Sequence, residues 1–295
     1  MKKIINICAG IFFIFGIGFA QAQDSQPQID NKQAFEIIGK GSVADLKSLL
    51  QKGFDVNTVY QCNTPLIIAI KGAIAGLEKQ LYPPVAVEKV KILVDAGADV
   101  NFVPCPGERM SPLSWAVILP DMMKDLGNRI NASLNKMIQA GVGQCNVLLF
   151  SKPCKDISPA EQENINKMID EAYIELGKLW TPDFMKIIGY LVDNGADVNG
   201  SNLNRDRIMP LHLAASNSQD ITLEPLQYLI NKGADVNIQD SVGATPLFWA
   251  FGAKNEKAVN MLKAAGANEN IRSKNGKSYN EVMRISRELV PMDDL

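Results

Sequence analysis

The cysteine and histidine side chains of this 295-residue chain are the first to consider for chemistry. Four of its five cysteines lie outside an apolar N-terminal stretch: Cys62, Cys105, Cys145 and Cys154. A zinc site needs closely spaced ligands such as Cys-x-x-Cys, and the sequence has no such pair. We therefore expect no metal site and predict two disulfides, for which four cysteines allow three pairings.

His212 is the only histidine, and it lies in the run Met209-Pro210-Leu211-His212. A general base needs a matched nucleophile and an orienting group, and neither is evident in its sequence context. The chain also lacks a P-loop, a His-Glu-x-x-His motif and a glycine-rich phosphate cradle. The Asp-containing segment 195–199 lacks the alternating ligands and terminal Glu of a calcium loop. We expect no enzymatic activity and no cofactor.

A repeated phrase indicates the elements that position these residues. Gly-Ala-Asp-Val-Asn occurs at 97–101, 195–199 and 233–237, with altered copies at 53–57 and 266–270. Each copy ends a short apolar helical stretch, and glycine suits the left-handed position that ends a helix. Sequences that start a helix, such as Thr-Pro-Leu, follow these copies. Proline at the first helical position costs no hydrogen bond. The predicted order is hairpin, helix, helix, hairpin.

This pattern resembles the ankyrin-repeat family, whose unit of about 33 residues carries Thr-Pro-Leu-His-x-Ala and a second helix. The resemblance covers nearly all of the chain after residue 30. It implies an all-α solenoid of helix-turn-helix units joined by β-hairpin-like loops, or fingers, with about five full units plus terminal capping units. It also implies that His212 ties adjacent loops by hydrogen bonds and that Trp115 and Trp249 fill core positions. The expected units lie near 31–57, 58–101, 102–145, 146–199, 200–237, 238–270 and 271–290.

The unit at 146–199 is inferred from spacing. Pro112 and Pro210 are 98 residues apart, which could reflect a large insertion or a hidden copy. Gly141 ends a helix-like run 44 residues after Gly97, and Pro159 lies 47 residues after Pro112, spacings that also separate the preceding landmarks. These equal spacings favour a degenerate copy of the repeat. The three units that start at Pro65, Pro112 and Pro159 are then longer than the family norm, and we expect their extra length in turns between helices, around 76–84, 120–135 and 164–181.

The first 22 residues predict a cleavable signal peptide, with Lys2 and Lys3 before an apolar core and Ala20-Gln21-Ala22 as the cleavage site. The alternative is an uncleaved membrane anchor. We expect a disordered polar N-terminus at 23–30 and a periplasmic or secreted monomer, not bound to a membrane after cleavage. The remaining 28 basic and 32 acidic residues give a net charge of −4, which argues against nucleic-acid binding.

The stacking of adjacent fingers selects among the cysteine pairings. It favours Cys62–Cys105, which joins neighbouring fingers, and Cys145–Cys154, which closes one finger. In the chain-entropy model these two loops contribute on the order of 4 and 2.7 kcal/mol.

The resemblance also implies a protein partner that contacts the fingers and the ends of the inner helices, which line a concave surface in this family. The candidate contact residues are Tyr60, Gln61, Asn63, Lys71, Phe102, Val103, Glu108, Arg109, Ile118, Leu119, Arg205, Arg207, Ser216 and Asn217. Four of these are apolar residues at positions expected to be exposed, which indicates an interface: Phe102, Val103, Ile118 and Leu119. Alternatively, the enlarged turns fold back and cover them.

These features predict a non-enzymatic scaffold that binds a partner protein. A narrower hypothesis is an immunity-type protein that sequesters a toxic effector, such as a periplasm-targeted lipase. A third class, an enzyme or redox-linked stress factor, would need an unpaired reactive cysteine or a bound cofactor.

Removal of the disulfides tests the pairing. Under non-reducing conditions the chain from residue 23 should contain no free thiol. Loss of Cys62 or Cys105 should lower the free energy of unfolding more than loss of Cys145 or Cys154, because the longer loop is constrained. Thiol titration and urea unfolding measure both effects. A Cys105–Cys145 peptide found by mass mapping would contradict the pairing.

Overall fold

The structure is a computed structural model that describes residues 30–75, 83–105, 110–141, 144–147, 150–200, 208–217 and 221–289. The predicted signal peptide and nearly all of the polar segment after it lie outside these residues. Eleven α-helices and one β-hairpin occur within the described ranges. The helices build an all-α repeat solenoid, as the sequence predicts.

Most of the helices form pairs of an inner and an outer helix. The first two pairs are α1 (Asn31–Lys40) with α2 (Val43–Gln51), and α3 (Pro65–Ala75) with α4 (Pro83–Asp95). Two long helices follow, α5 (Pro112–Ala140) and α6 (Pro159–Asp193). The last elements are α7 (Pro210–Ser216) with α8 (Glu224–Asn231), α9 (Pro246–Gly252) with α10 (Glu256–Ala264), and α11 (Tyr279–Leu289). Inner helices α1, α3, α5, α7 and α9 pack side by side in that order, and the outer helices form a second layer.

The helix starts and ends follow the local sequence signals. Ser42 accepts a hydrogen bond from the backbone amide of Asp45, while the Asp45 carboxylate accepts from the amide of Ser42, which forms a capping box. Gly97 and Gly195 follow outer helices with φ of 92° and 90°. A side chain would strain this left-handed backbone, so glycine ends the helix there.

In four of the five copies of the repeated phrase, the closing asparagine ties its finger to the next one. Asn57 donates from Nδ2 to the carbonyl of Gly97 (3.1 Å) and accepts the amide of Asp99 at Oδ1 (2.9 Å). Asn199 accepts the amide of Asp235 in the same way (2.8 Å). We call this series of bonds the asparagine ladder, and it sets the register between successive repeats.

At Asn101 the ladder shows that the predicted hidden repeat is wrong. Nδ2 of Asn101 donates to the carbonyl of Gly195, and Oδ1 accepts the amide of Asp197, both at 2.9 Å. These two fingers are therefore direct neighbours, with no finger at Gly141 between them. Residues 102–199 form one repeat with a large insertion, where the sequence predicted two units.

The insertion, residues 118–181, is a helical hairpin that we call the arm. The segments expected as turns at 120–135 and 164–181 lie inside α5 and α6, which have 29 and 35 residues. Between these helices, antiparallel strands β1 (Gln144–Val147) and β2 (Phe150–Pro153) and a short 3₁₀ turn reverse the chain. Of the third expected turn, residues 76–82 lie outside the described ranges.

The arm remains helical because its two helices bury apolar side chains against each other. Its own core consists of Leu134, Cys145, Cys154, Ile157, Ile165 and Ile169, with Ile130, Ile138 and Tyr173 packed around it. Side chains at a helical period on both helices meet there, so helix pairing offsets the loss of hydrogen bonding at Pro120 within α5. Met168, three residues after Ile165 on α6, lies outside this core and is exposed.

The arm extends past the edge of the stack opposite the fingers. Asn217, directly after α7, donates from Nδ2 to the carbonyl of Val117 in α5 (2.9 Å). Helix α7, an inner helix of ordinary length, therefore ends at the level of Val117. Helix α5 continues from there to Ala140, a distance of about 35 Å at 1.5 Å per residue.

His212 has the structural role that the resemblance implies. The imidazole is buried, its Nδ1 accepts the amide of Met209 (3.1 Å), and Nε2 lies 3.1 Å from the carbonyl of Ala244. Since Nδ1 accepts, Nε2 carries the proton and donates to the next finger. Burial lowers the pKa of His212 below its usual value, so the folded chain holds this ring neutral.

We expect Asn101→Ala to lower the free energy of unfolding by about 1 to 3 kcal/mol, because it removes two hydrogen bonds between neighbouring repeats. Asn260→Ala, at an exposed position on α10, serves as the control and should cause no loss. Urea unfolding followed by circular dichroism measures both. Equal stability of the two variants would contradict the ladder's role.

A second prediction concerns acid stability. The folded pKa of His212 is lowered, so the unfolded chain binds a proton first as the pH falls. Stability should therefore decrease as the pH falls below the usual histidine value near 6.5, towards the lowered folded pKa. His212→Gln, which removes the only histidine, should be less stable at pH 7 but lose less between pH 7 and 5. Urea unfolding at each pH measures these stabilities. An equal loss of unfolding free energy between pH 7 and 5 in the two proteins would refute this prediction.

Candidate functional site

The finger at residues 60–63 has an unusual backbone for its sequence. Tyr60 and Asn63 exchange two backbone hydrogen bonds of 3.0 Å across a two-residue turn. The two central residues, Gln61 and Cys62, have φ of 47° and 57°. Positive φ at both central positions defines a type I′ turn, which normally selects Asn or Gly. Without glycine this backbone costs about 1 to 2 kcal/mol per residue, so the surroundings must hold it.

A disulfide and a lysine hold this finger in place. Cys62 is bonded to Cys105 in the neighbouring finger, with the two Cα atoms 5.4 Å apart. Nζ of Lys71 donates to Oδ1 of Asn63 (2.8 Å) and lies 3.8 Å from the ring centroid of Trp115. These contacts tie the tip of one finger to the next finger and to inner helix α5. We call residues 60–63 with Cys105 and Lys71 the braced finger.

The second disulfide lies elsewhere. Cys145 and Cys154 are bonded with Cα atoms 5.0 Å apart, and both are buried in the core of the arm. Both pairings are those that finger stacking favoured. The Cys145–Cys154 bond, however, closes the β-hairpin at the end of the arm, where the sequence analysis expected a finger.

A groove lies beside the braced finger, between inner helices α1 and α3. We call it the N-terminal groove, and its volume is about 300 Å³. Its apolar lining includes Phe35, Tyr60 and Ile68, and the Phe35 and Tyr60 rings are 5.3 Å apart. Charged residues also line it: Lys32, Glu36, Lys40 and Lys71.

Several predicted contact residues lie in or near these features. Tyr60, Gln61, Asn63 and Lys71 belong to the braced finger and the groove. Phe102 and Val103 lie in the adjoining finger and are partly exposed, as is Ile118 on α5. Ser216 is also partly exposed, and its hydroxyl donates to the carbonyl of Leu213 (2.9 Å). Glu108, Arg109, Arg205 and Arg207 lie outside the described residues.

Two predicted contact residues are buried, which is a correction. Leu119 is 0% exposed and lies within α5, which continues to Ala140. Asn217 is 3% exposed. Its Nδ2 donates to the carbonyl of Val117, and its backbone carbonyl accepts Nδ2 of Asn255 (2.7 Å), so this residue links three repeats. Neither residue is available to a partner in this conformation.

Sequence reasoning missed the contribution of α1 to the site. Lys32, Phe35 and Lys40 line the groove, but the segment 31–57 was interpreted only as a capping unit. The sequence did contain a signal for this contribution. Tyr60 and Lys71 were both candidate contact residues, and in a stack of repeats the preceding inner helix, α1, must lie beside α3. The arm also exposes apolar side chains that the sequence did not single out, including Leu179 at 69% exposure.

No group of three or more His, Cys, Asp or Glu side chains in the described part of the chain could hold a metal ion. The helices in those ranges include none that combines the length and apolar character needed to cross a membrane.

Comparison with known proteins gives consistent family matches. Residues 183–273 match the family model for ankyrin repeats (three copies). Alpha-latrocrustotoxin-Lt1a of Latrodectus tredecimguttatus is 30% identical over 203 residues, which is 69% of this chain and 12% of the toxin. A putative ankyrin repeat protein of Borreliella burgdorferi is 32% identical over 84 residues, 28% of this chain and 35% of that protein. The chain thus spans a minor part of these relatives' lengths.

Among solved structures, a chain of the complex of the Bd0816 predatory endopeptidase from Bdellovibrio bacteriovorus with immunity protein Bd3460 superposes with a TM-score of 0.52. The identity is 16%, and the match covers 88% of this chain and 95% of that chain. This likeness concerns the fold.

Proposed function

Because the chain is an ankyrin-repeat protein, we propose that it binds a partner protein through the braced finger and the adjoining concave surface, without catalysing a reaction. Ankyrin repeats are generally non-enzymatic interaction modules. Such arrays present a rigid, extended surface on which a few anchored side chains supply most of the affinity.

The observation that carries this proposal is the strained but fixed conformation of the braced finger. Left-handed backbone at two residues other than glycine persists only where other contacts enforce it, and such sites cluster at binding surfaces. The disulfide and the Lys71 bond supply those contacts. A finger ordered before binding loses less conformational entropy when a partner docks, which favours affinity.

The C-terminal fingers contrast with this one. In the finger at 240–244, the Asp240 carboxylate accepts the amides of Val242 and Ala244 and the indole N–H of Trp249. Its left-handed position is occupied by Gly243, with φ of 78°. Ordinary turn chemistry therefore suffices in this finger. The third described residue other than glycine with a positive φ, Lys254 at 53°, lies outside the fingers, between α9 and α10.

A second candidate function is that of an immunity-type protein which sequesters a toxic enzyme, such as a lipase delivered into the periplasm. The fold likeness to a chain of an endopeptidase–immunity complex supports it. Export to the periplasm is part of this proposal. The signal-like residues 1–22 and the two disulfides support that location, because disulfides persist in oxidising compartments.

A neighbouring effector gene would separate the two candidates. If the chain is an immunity protein, the purified chain should bind the product of an adjacent gene and inhibit its enzymatic activity at a one-to-one ratio. If the chain binds a captured partner but inhibits no enzymatic activity, the immunity function is excluded and the general binding function stands.

The variant Phe102→Ala combined with Arg109→Ala should weaken binding of a captured partner by about 1 to 3 kcal/mol, as the loss of anchor residues does. Ser241→Ala combined with Val242→Ala changes an exposed finger of the C-terminal half and should have much less effect. Affinity capture from periplasmic extract identifies the partner, and calorimetry on folded variants measures the affinities. If only the Ser241 and Val242 variant loses affinity for the partner, the proposed location of the binding surface is wrong.

A further inference from the structure

We infer that the Cys62–Cys105 disulfide is a redox switch for the braced finger: a dithiol reductant opens this bond, and the finger then leaves its binding conformation while the repeats stay stacked. This inference rests on the proposed function and assigns a regulation to the same surface. It is carried by the exposure of the disulfide, by the backbone that the disulfide holds, and by the bonds that join the two repeats independently of it.

The two disulfides differ in their access to solvent. Cys62 is exposed and Cys105 is partly exposed. In contrast, Cys145 and Cys154 are 1% and 0% exposed within the core of the arm. Thiol–disulfide exchange requires a thiolate to reach one of the sulfur atoms, so exposed disulfides are the ones that open readily. A reductant in solution therefore reaches the Cys62–Cys105 bond first.

The exposed disulfide holds a backbone that its own residues disfavour. Gln61 and Cys62 have φ of 47° and 57°. Lys71 bonds Asn63, which follows these two residues, and Nε2 of Gln61 donates to the hydroxyl of the adjacent Tyr60 (3.4 Å). Within the described residues, the disulfide is thus the side-chain bond that ties a left-handed residue to another finger. When it opens, the turn loses this constraint and relaxes to a commoner shape.

The junction between the two repeats has other bonds that survive reduction. Asn57 bonds the backbone of the next finger at two atoms, and inner helices α3 and α5 pack against each other. Directly after the finger, the hydroxyl of Thr64 accepts the amide of Ile67 (3.2 Å) and caps α3. The release is therefore confined to the finger, and the stack keeps the two thiols close enough to form their bond again.

The exchange balances as a two-electron transfer from the dithiol. A thiolate of the dithiol attacks Sγ of Cys62, the more exposed residue of the pair, and the bond to Sγ of Cys105 breaks. Cys105 leaves as a thiolate and takes up a proton. The second thiolate of the dithiol then attacks the mixed disulfide and releases Cys62, which takes up the other proton. The dithiol is oxidised to a disulfide as the two cysteines are reduced to thiols.

Selective reduction is the first test. The chain from residue 23 onward is equilibrated with increasing ratios of reduced to oxidised dithiothreitol, thiols are blocked with N-ethylmaleimide, and mass mapping gives the reduced fraction of each pair. Cys62–Cys105 should open at a ratio about tenfold or more below that for Cys145–Cys154, with an unchanged circular dichroism spectrum. Simultaneous opening of both pairs, or loss of helical signal as Cys62–Cys105 opens, would overturn the inference.

A glycine variant tests whether the turn and the bond are coupled. Glycine adopts positive φ without the cost that glutamine has, so Gln61→Gly stabilises the bonded form only if reduction abandons the left-handed turn. Half reduction of Cys62–Cys105 in this variant should need a dithiothreitol ratio about threefold higher. Ser241→Gly, in a finger without cysteine, should leave the ratio unchanged. An unchanged ratio in Gln61→Gly would mean that the turn persists after reduction, contrary to the inference.

Binding connects the switch to function. The captured partner should bind the oxidised chain about tenfold more tightly than the selectively reduced chain, because the released finger must be ordered again on binding. The double variant Cys62→Ser and Cys105→Ser should bind as weakly as the reduced chain, both with and without dithiothreitol, which excludes an effect of the reductant on the partner. Circular dichroism confirms that the variant is folded.

The outcome is separable from that of the proposed function. If the oxidised and reduced chains bind the partner equally while the Phe102 and Arg109 variant loses it, the redox switch fails and the binding function stands. If the finger opens as expected and no protein is captured, the redox response of the finger stands and the proposed function fails.

Discussion

Stacking of each repeat on its neighbours is the constraint on which the rest of this structure depends. A pair of short helices cannot bury its apolar faces alone, so the core lies between successive repeats. The asparagine ladder sets the register, with bonds such as those from Asn101 to Gly195 and Asp197. The fingers, the first turns of the inner helix and the outer helix must satisfy this register. The rest of a repeat is free to change, and residues 118–181 show how far it has changed.

The sequence predicted the local elements well, because their causes are local. Proline at a helix start, a serine cap and a glycine with positive φ act within a few residues. Gly141 and Ser158 do end α5 and cap α6, as their neighbours indicated. The error was to assign these signals to a further repeat. A cap shows where a helix begins or ends, and it carries no information about which surface the helix packs against.

The candidate site was only partly predictable for a similar reason. Tyr60 and Lys71 follow from their position in the repeat, whereas Leu119 is buried within α5, a helix that the sequence analysis expected to end in a turn at 120–135. The left-handed backbone at Gln61 and Cys62 has no sequence signature, because neither residue favours it. It is imposed from outside the turn. Lys71, 8 positions along the chain, bonds Asn63, and Cys105, 43 positions along the chain, bonds Cys62.

The disulfide between Cys62 and Cys105 also affects how the array can deform. Solenoids change curvature by small rotations at each junction between repeats. A covalent bond across one junction removes most of that freedom, since the two fingers can no longer separate. Junctions after Asn101 have hydrogen bonds but no such covalent link among the residues described. Bending of the array should therefore be smallest at this junction and larger at the junctions that hydrogen bonds alone hold together.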